Sequence, residues 1–486
     1  MTIKDLQPAV VFGIFDQINH VPRPSKKEGK IRQYLLDFAA QHNIAVKTDA
    51  IGNVVMSRPA TPGHEDAPGI IMQAHMDMVC ESNDKNFDFE NSPIETVVDG
   101  EWLHAKGTTL GADNGIGMAA AMAALIDDEL VHGPLEALFT VDEETGLTGA
   151  NNLGEDMIHG SMLLNLDSED DAEIFVGCAG GVDTTCLFDY KRSVAPTDFH
   201  YFKFDISKGL GGHSGGDIHL GRANAVQLLA RFLYAIAAKH EISLCEVDGG
   251  NLRNAIPRAA HCLFGVHTSK KEDIVVLFNQ YVADVENEYK DLEPTIEFAL
   301  DTIERPEFAI DADTTHRLIE ALYAAPHGVI SMSRDLEGLV ETSTNLASVK
   351  MKDDNTILVT TSQRSSVESR KWDIAHRVEA LFKLAGANVT HGDGYPGWAP
   401  NLNSRIMKIA SDAYEELYGV KPAIKAIHAG LECGLFLLKY PHLDMVSFGP
   451  TLQGVHSPSE RMNIPAVERF WGQLRRTIEK VAQLKG

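Results

Sequence analysis

Along the first third of the chain, continuous apolar runs alternate with stretches whose apolar residues recur every three or four positions. "KIRQYLLDFAAQH" (30–42) has helical spacing, and "NGIGMAAAMAALIDDEL" (114–130) predicts an alanine-rich helix. Between them, "GIIMQAHMDMV" (69–79) is apolar throughout and predicts a buried strand. "LEALFTVDEE" (135–144) and "GSMLLNLDSE" (160–169) are apolar runs that end in acids. Strand–helix alternation of this kind predicts an α/β domain with a mostly parallel central sheet. In such sheets ligands gather at the carboxyl ends of the strands.

The pattern changes near Cys186. "FHYFKFDISKGLGGHSGG" (199–216) alternates like a strand with one wet face and runs into glycines. "NAVQLLARFLYAIAAKHE" (224–241) is an amphipathic helix, and "AHCLFGVHT" (260–268) and "NTILVTTSQRSS" (355–366) are further half-wet strands. This section predicts an α+β domain. "HGDGYPGWAPNLNS" (391–404) reads as a junction. Beyond it, "MKIASDAYEELYG" (407–419) and "LDMVSFGP" (443–450) return to the style of the first third. The expected organisation is a catalytic domain in two parts, 1–186 and 398–486, with residues 187–397 inserted between them.

Length and charge narrow the function classes. At 486 residues the chain exceeds what one core usually supports. Its net charge of −26 disfavours nucleic acid and anionic membranes as partners. The six cysteines show no C-x-x-C spacing, which argues against a zinc ribbon and fits a reducing compartment. No basic, apolar leader and no membrane-length apolar run is present, so a cytoplasmic location is expected.

The acids at the strand ends carry the chemistry. "AHMDMV" offers His75 and Asp77, two apart on a strand and so on one side of it. Asp77 is suited to fix the tautomer of a metal-bound His75. Asp113 stands before a helix in "GADNGIG", Asp167 ends "LLNLD", and "FTVDEETGLTGA" (139–150) places Asp142, Glu143 and Glu144 in a row. Each has a plainer role open to it: a helix N-cap for Asp113, a satisfied polar side chain for His75, solvated loop acids for the rest. Recurrence on successive strand ends favours a shared site, with cations neutralising the acids. Glu143 and Glu144, adjacent in an extended chain, point opposite ways. One then serves as a ligand and the other as a general base. Imidazole and oxygen donors without thiolates suit Zn²⁺, Co²⁺ or Mn²⁺.

Taken in order, "PRPSKKEGKI", "AHMDMV", "GADNGIG", "DEETG", "NLDSED", "GGHSGG" and "GVHSPSERM" resemble the metallopeptidase superfamily of aminoacylases, carnosinases and bacterial dipeptidases, over essentially the whole chain. The resemblance implies a two-metal site, zinc first among the candidates, with His75, Asp113, Glu144, Asp167 and His456 as ligands and Asp113 bridging. It implies Asp77 as the residue orienting His75 and Glu143 as general base. It implies that His213 polarises the scissile carbonyl and that Asn254 and Arg364 bind the substrate's backbone and carboxylate. It further implies a homodimer formed through the inserted lid domain, and dipeptide substrates with a free amino end, Xaa-His among them. A deacylase or aminotripeptidase on the same scaffold is the alternative enzyme, and a catalytically silent metal-binding protein the alternative of another class. "HAGLECG" (428–434) stands where many relatives carry Gly-Gly-Thr-Asp, which leaves pocket shape and specificity open.

Overall fold

A computed structural model describes residues 2–485. The chain divides into two compact units. The first takes the chain up to Gly177, Trp398–Ala426 and everything from Leu431 on. The second takes Cys178–Gly397 and the short return Ile427–Gly430.

The first unit is built on an eight-stranded mixed sheet. Its four central strands, in spatial order Leu135–Thr140, Ile70–His75, Met162–Asn165 and Asp444–Ser447, run parallel. Their residues are almost wholly buried, as the unbroken apolar runs require. Antiparallel strands Ala45–Thr48 and Val54–Arg58 extend one edge. Helix Ala112–Ile126 is buried nearly all round, packing on strand Ile70–His75 and helix Ala9–Asn19. Small side chains make that possible, since alanine lets backbones approach closely. At the other extreme, the amphipathic helix Ile464–Ala482 buries one face (Val467, Phe470, Leu474, Ile478) against Arg405–Tyr418.

The second unit is a nine-stranded antiparallel sheet in the order Glu297–Ile303, Phe199–Ser207, Ala260–His267, Ile242–Gly249, Val340–Met351, Thr356–Ser365, Gly180–Asp189, Asn388–His391, with Gly328–Met332 added on Val340–Met351. Helices Ala225–Ala237, Lys271–Glu288, Ala312–Ala324 and Glu368–Leu384 share one core with it, through Phe232, Tyr281, Leu318 and Phe382 among others. The alternation of Ala260–His267 between buried and half-wet positions is the period-2 pattern of its sequence.

The expected boundary at 186/187 falls inside strand Gly180–Asp189, which belongs wholly to the second unit; the chain crosses at Gly177/Cys178. The reason is local: strands Glu173–Cys178 and Gly180–Asp189 are separated by Ala179 alone, so no loop marks the crossing.

Candidate metal centre

The parallel strands of the first unit deliver the site. His75 ends strand Ile70–His75, Glu143 and Glu144 follow Leu135–Thr140, and Asp167 follows Met162–Asn165. Asp113 opens helix Ala112–Ile126, and His456 stands in the turn after Leu452–Gln453 with a left-handed φ of 61°.

These side chains converge. His75 Nε2 lies 2.9 Å from Asp113 Oδ1 and 3.3 Å from Asp167 Oδ1. His456 Nε2 lies 3.2 Å from Asp113 Oδ2 and 3.0 Å from Glu144 Oε2. Asp113 therefore divides its two oxygens between two groups, each of one imidazole and two carboxylate oxygens. Donors on a tetrahedral zinc with bonds of about 2.0–2.1 Å stand about 3.4 Å apart, close to these separations. Glu144 Oε1 is buried with no hydrogen-bond partner. Donor types, spacing and an orphaned carboxylate oxygen together fit two divalent cations.

Electrostatics point the same way. Burial alone would pull the His75 imidazole down, yet Asp167, Asp113 and Asp77 hold it well above its ordinary value. Bonds to Asp113 and then Glu144 push His456 up to about 11. Burial, with the charge of Asp113 beyond the offsetting pull of His75, raises Asp167 to about 6. Burial, followed by the charges of Asp113 and Asp167, raises Glu169 to about 8. The cluster demands positive charge, and the imidazoles bind protons in answer to it.

Asp113 is not a helix cap. Gly111 holds that position without a side-chain capping bond, and Asp113 and Asn114 have non-helical backbone angles with a cis peptide between them. Asn114 turns its amide onto Asp167 Oδ1. The fold permits this because position 117 is glycine: a Cβ there would meet Asn114 Oδ1 at 1.9 Å and the Leu166 carbonyl at 2.7 Å.

Asp77 is the hub behind these groups. Its Oδ1 is 3.4 Å from His75 Nδ1 and accepts the Glu143 amide at 3.0 Å. Its Oδ2 accepts the Ser25 hydroxyl at 2.7 Å and the Glu144 amide at 3.3 Å. Burial pushes the carboxyl up, but bonds to His75, Ser25 and Glu143 hold it below its usual range. Those amides belong to a helical turn, Glu143–Gly146, not to an extended segment. Glu143 and Glu144 thus diverge by one helical step rather than pointing opposite ways. Burial, opposed by His75 and reinforced by Asp167, Glu144 and Glu432, raises the Glu143 carboxyl well above its ordinary value. Asp142, the third acid of the row, is structural: at φ 49° it turns inward to accept the Thr145 and Thr148 hydroxyls.

Three supporting residues escape sequence reasoning. Glu460 accepts four backbone amides, Leu110 (2.7 Å) and Gly111 (3.0 Å) on Oε2 and Ala112 (2.8 Å) and Asp113 (3.4 Å) on Oε1. Arg23, fully buried, donates to the carbonyls of Asp77 at 3.1 Å and Gly111 at 2.5 Å. Glu432 accepts from Gln73 and Thr140, its other oxygen is buried without a partner, and burial raises it to about 8. Only Glu432 carries a sequence signal, a lone charge in the apolar stretch "GLECGLF" (430–436).

The remaining candidates lie in the second unit. His213, on the short strand Gly212–His213, accepts the amides of Gly216 (3.0 Å) and Gly215 (3.3 Å) on Nδ1. Burial and then Arg364 lower its pKa, so the ring is neutral and carries its hydrogen on Nε2. Asn254 is exposed, and its carbonyl accepts the Ser214 amide at 2.8 Å. Arg364 is buried; it donates to Tyr395 Oη at 2.9 Å, its Nε has no partner, and no acid among the described residues pairs with it. Beside it in register is Ser343, whose hydroxyl meets His428 Nε2 at 2.7 Å. Burial, then Arg364, lowers His428 to about 3.

Comparison with known proteins identifies the family. Residues 71–480 match the model of peptidase family M20/M25/M40. The chain is 41% identical over 480 residues, 99% of each chain, to the cytosol non-specific dipeptidase of Escherichia coli K12. It superposes with a TM-score of 0.91 and 42% identity on the crystal structure of aminoacylhistidine dipeptidase from Vibrio alginolyticus, covering 99% of this chain and 98% of that one. A tripeptidase from Staphylococcus aureus, 15% identical with a TM-score of 0.59 over 99% and 100% of the two chains, shares the fold. The chain belongs to peptidase family M20/M25/M40. It is a hydrolase of the metallopeptidase type.

Proposed function

We propose that this protein is a metal-dependent dipeptidase that hydrolyses dipeptides with a free amino end, Xaa-His dipeptides among them. The observation that carries the reading is the division of Asp113 between two imidazole–carboxylate groups. In it, His75, Asp113 and Asp167 would hold one divalent ion and His456, Asp113 and Glu144 the other, zinc being the first candidate and Co²⁺ or Mn²⁺ alternatives. Such ions, when bound, polarise the scissile carbonyl and make a bound water acidic. Glu143, whose basicity its surroundings raise, takes the proton of the attacking water and returns it to the leaving amine. Asp77 keeps His75 oriented through Nδ1 and anchors the turn that carries Glu143. His213, neutral with its hydrogen on Nε2, donates to the oxyanion. Arg364, a buried guanidinium with donors to spare, takes the substrate carboxylate, and Asn254 its backbone. The names of the E. coli and Vibrio relatives support the substrate class. The family resemblance supports a homodimer formed through the second unit. The cytosolic relative supports a cytoplasmic location, and no helix among the described residues is long and apolar enough to cross a membrane.

Arg364→Ala tests the substrate-carboxylate role. It lowers kcat/KM for a free dipeptide by roughly 10–100-fold, the loss of a charge-assisted pair, and leaves the slower turnover of the C-terminal amide unchanged. An equal loss for both substrates removes Arg364 from that role.

A further inference from the structure

We propose a separate metal site in the second unit, formed by His376, Glu379 and His391, that takes a zinc-, nickel- or copper-class ion. His376 and Glu379 lie one turn apart on helix Glu368–Leu384, so both project from the same face. His391 ends strand Asn388–His391, which forms an edge of the nine-stranded sheet. One donor atom from each of the three residues lies within 4.8 Å of the others. None of these residues enters the reading of the catalytic centre.

The hydrogen bonds behind His391 decide which of its nitrogens is available. Nδ1 lies 2.9 Å from Thr184 Oγ1. That hydroxyl gives its own hydrogen to Gln363 Oε1 at 2.7 Å, so toward His391 it accepts. The imidazole therefore carries a hydrogen on Nδ1, which leaves Nε2 as the nitrogen that a metal ion can take. Gln363 is fixed in turn by donating to Thr361 (2.7 Å) and Thr344 (3.2 Å), and all four of these partners are buried. A buried network that sets the tautomer of an imidazole is the support that metal-binding histidines carry.

That Nε2 faces Glu379 Oε2 at 3.3 Å. Positive charge joins the two atoms at that separation, a proton on Nε2 or a metal ion in its place. His376, exposed on the same side, adds a second imidazole, and Lys383 holds the other oxygen of Glu379. Two imidazoles and one carboxylate, open to water for the remaining positions, form a donor set for borderline divalent ions. Binding would pin an edge strand to the adjoining helix.

Trp372 provides a reporter, its ring 5.8 Å from that of His376 and 5.7 Å from that of His391. The test compares the metal-loaded wild-type protein with His376→Ala/His391→Ala and with the milder single variant His376→Gln. After equilibrium dialysis against micromolar Zn²⁺, the wild type is expected to hold one more ion per chain than the double variant. Ni²⁺ should quench a component of tryptophan emission that is lost in Trp372→Phe and weakened in His376→Gln. Equal metal counts in wild type and double variant, or quenching indifferent to both histidines, would overturn the site. Only differences from wild type are read, so the result does not depend on the catalytic assignment.

Discussion

At the scale of single residues, Glu143 and Glu460 separate chemistry from support. Glu143→Gln keeps size and hydrogen bonding and removes the base. Its kcat should fall by about 10²–10⁴-fold while metal content, measured by atomic emission, stays at the wild-type level. Glu460→Gln sets an amide against two backbone N–H groups of the 110–113 segment. Leaving buried donors unpaired costs about 1–3 kcal/mol, so the denaturation midpoint should drop and metal affinity with it. An unchanged midpoint would remove Glu460 from its supporting role. The residues that converge in the first unit were legible because histidine and acids recur at the ends of apolar strands, where an α/β sheet gathers them. Glu460 and Arg23 were not, because their partners are backbone groups distant in sequence. Asp142 looked like its neighbours Glu143 and Glu144 and differs only through a left-handed backbone that turns it toward threonines.

At the scale of elements, periodicity gave the helices and strands their types, and the buried strands of the first unit follow directly from unbroken apolar runs. It missed the crossing between units because two strands adjoin there without a loop. In the second unit, helix Ala225–Ala237 is capped by Asn224, which accepts the amides of Val226 and Gln227. The Asn224 amide in turn reaches His327 Nδ1 at 3.2 Å, and the Leu346 amide reaches the same nitrogen at 3.4 Å. Burial lowers His327 to about 4, from an ordinary value of 6.5. The folded ring is thus neutral where the unfolded one binds a proton. Stability contributed by the neutral ring is complete above about pH 6.5, is lost as pH falls toward 4, and levels off below; the loss reaches about 3 kcal/mol at most. Denaturant midpoints measured from pH 7 to pH 4 should fall, and His327→Gln should flatten that slope. An identical slope in the variant would assign the acid sensitivity to other groups.

At the scale of the whole molecule, the fold is that of an M20/M25/M40 peptidase, and the first unit supplies every candidate ligand of the two-metal centre. The net charge of −26 favours the gathering of cations over that of anions. Specificity was the least legible property, because the segment 428–434 departs from the family pattern and contributes residues to both units, His428 to the second and Glu432 to the first. The measurement that bears most directly on the central claim is the initial rate of Gly-His hydrolysis by the chelated protein, before and after restoring Zn²⁺ or Co²⁺, beside N-acetyl-Gly-His. The account predicts that the free dipeptide alone is cleaved, and only once metal is restored. Cleavage that survives chelation, or that is confined to the acetylated compound, would contradict it.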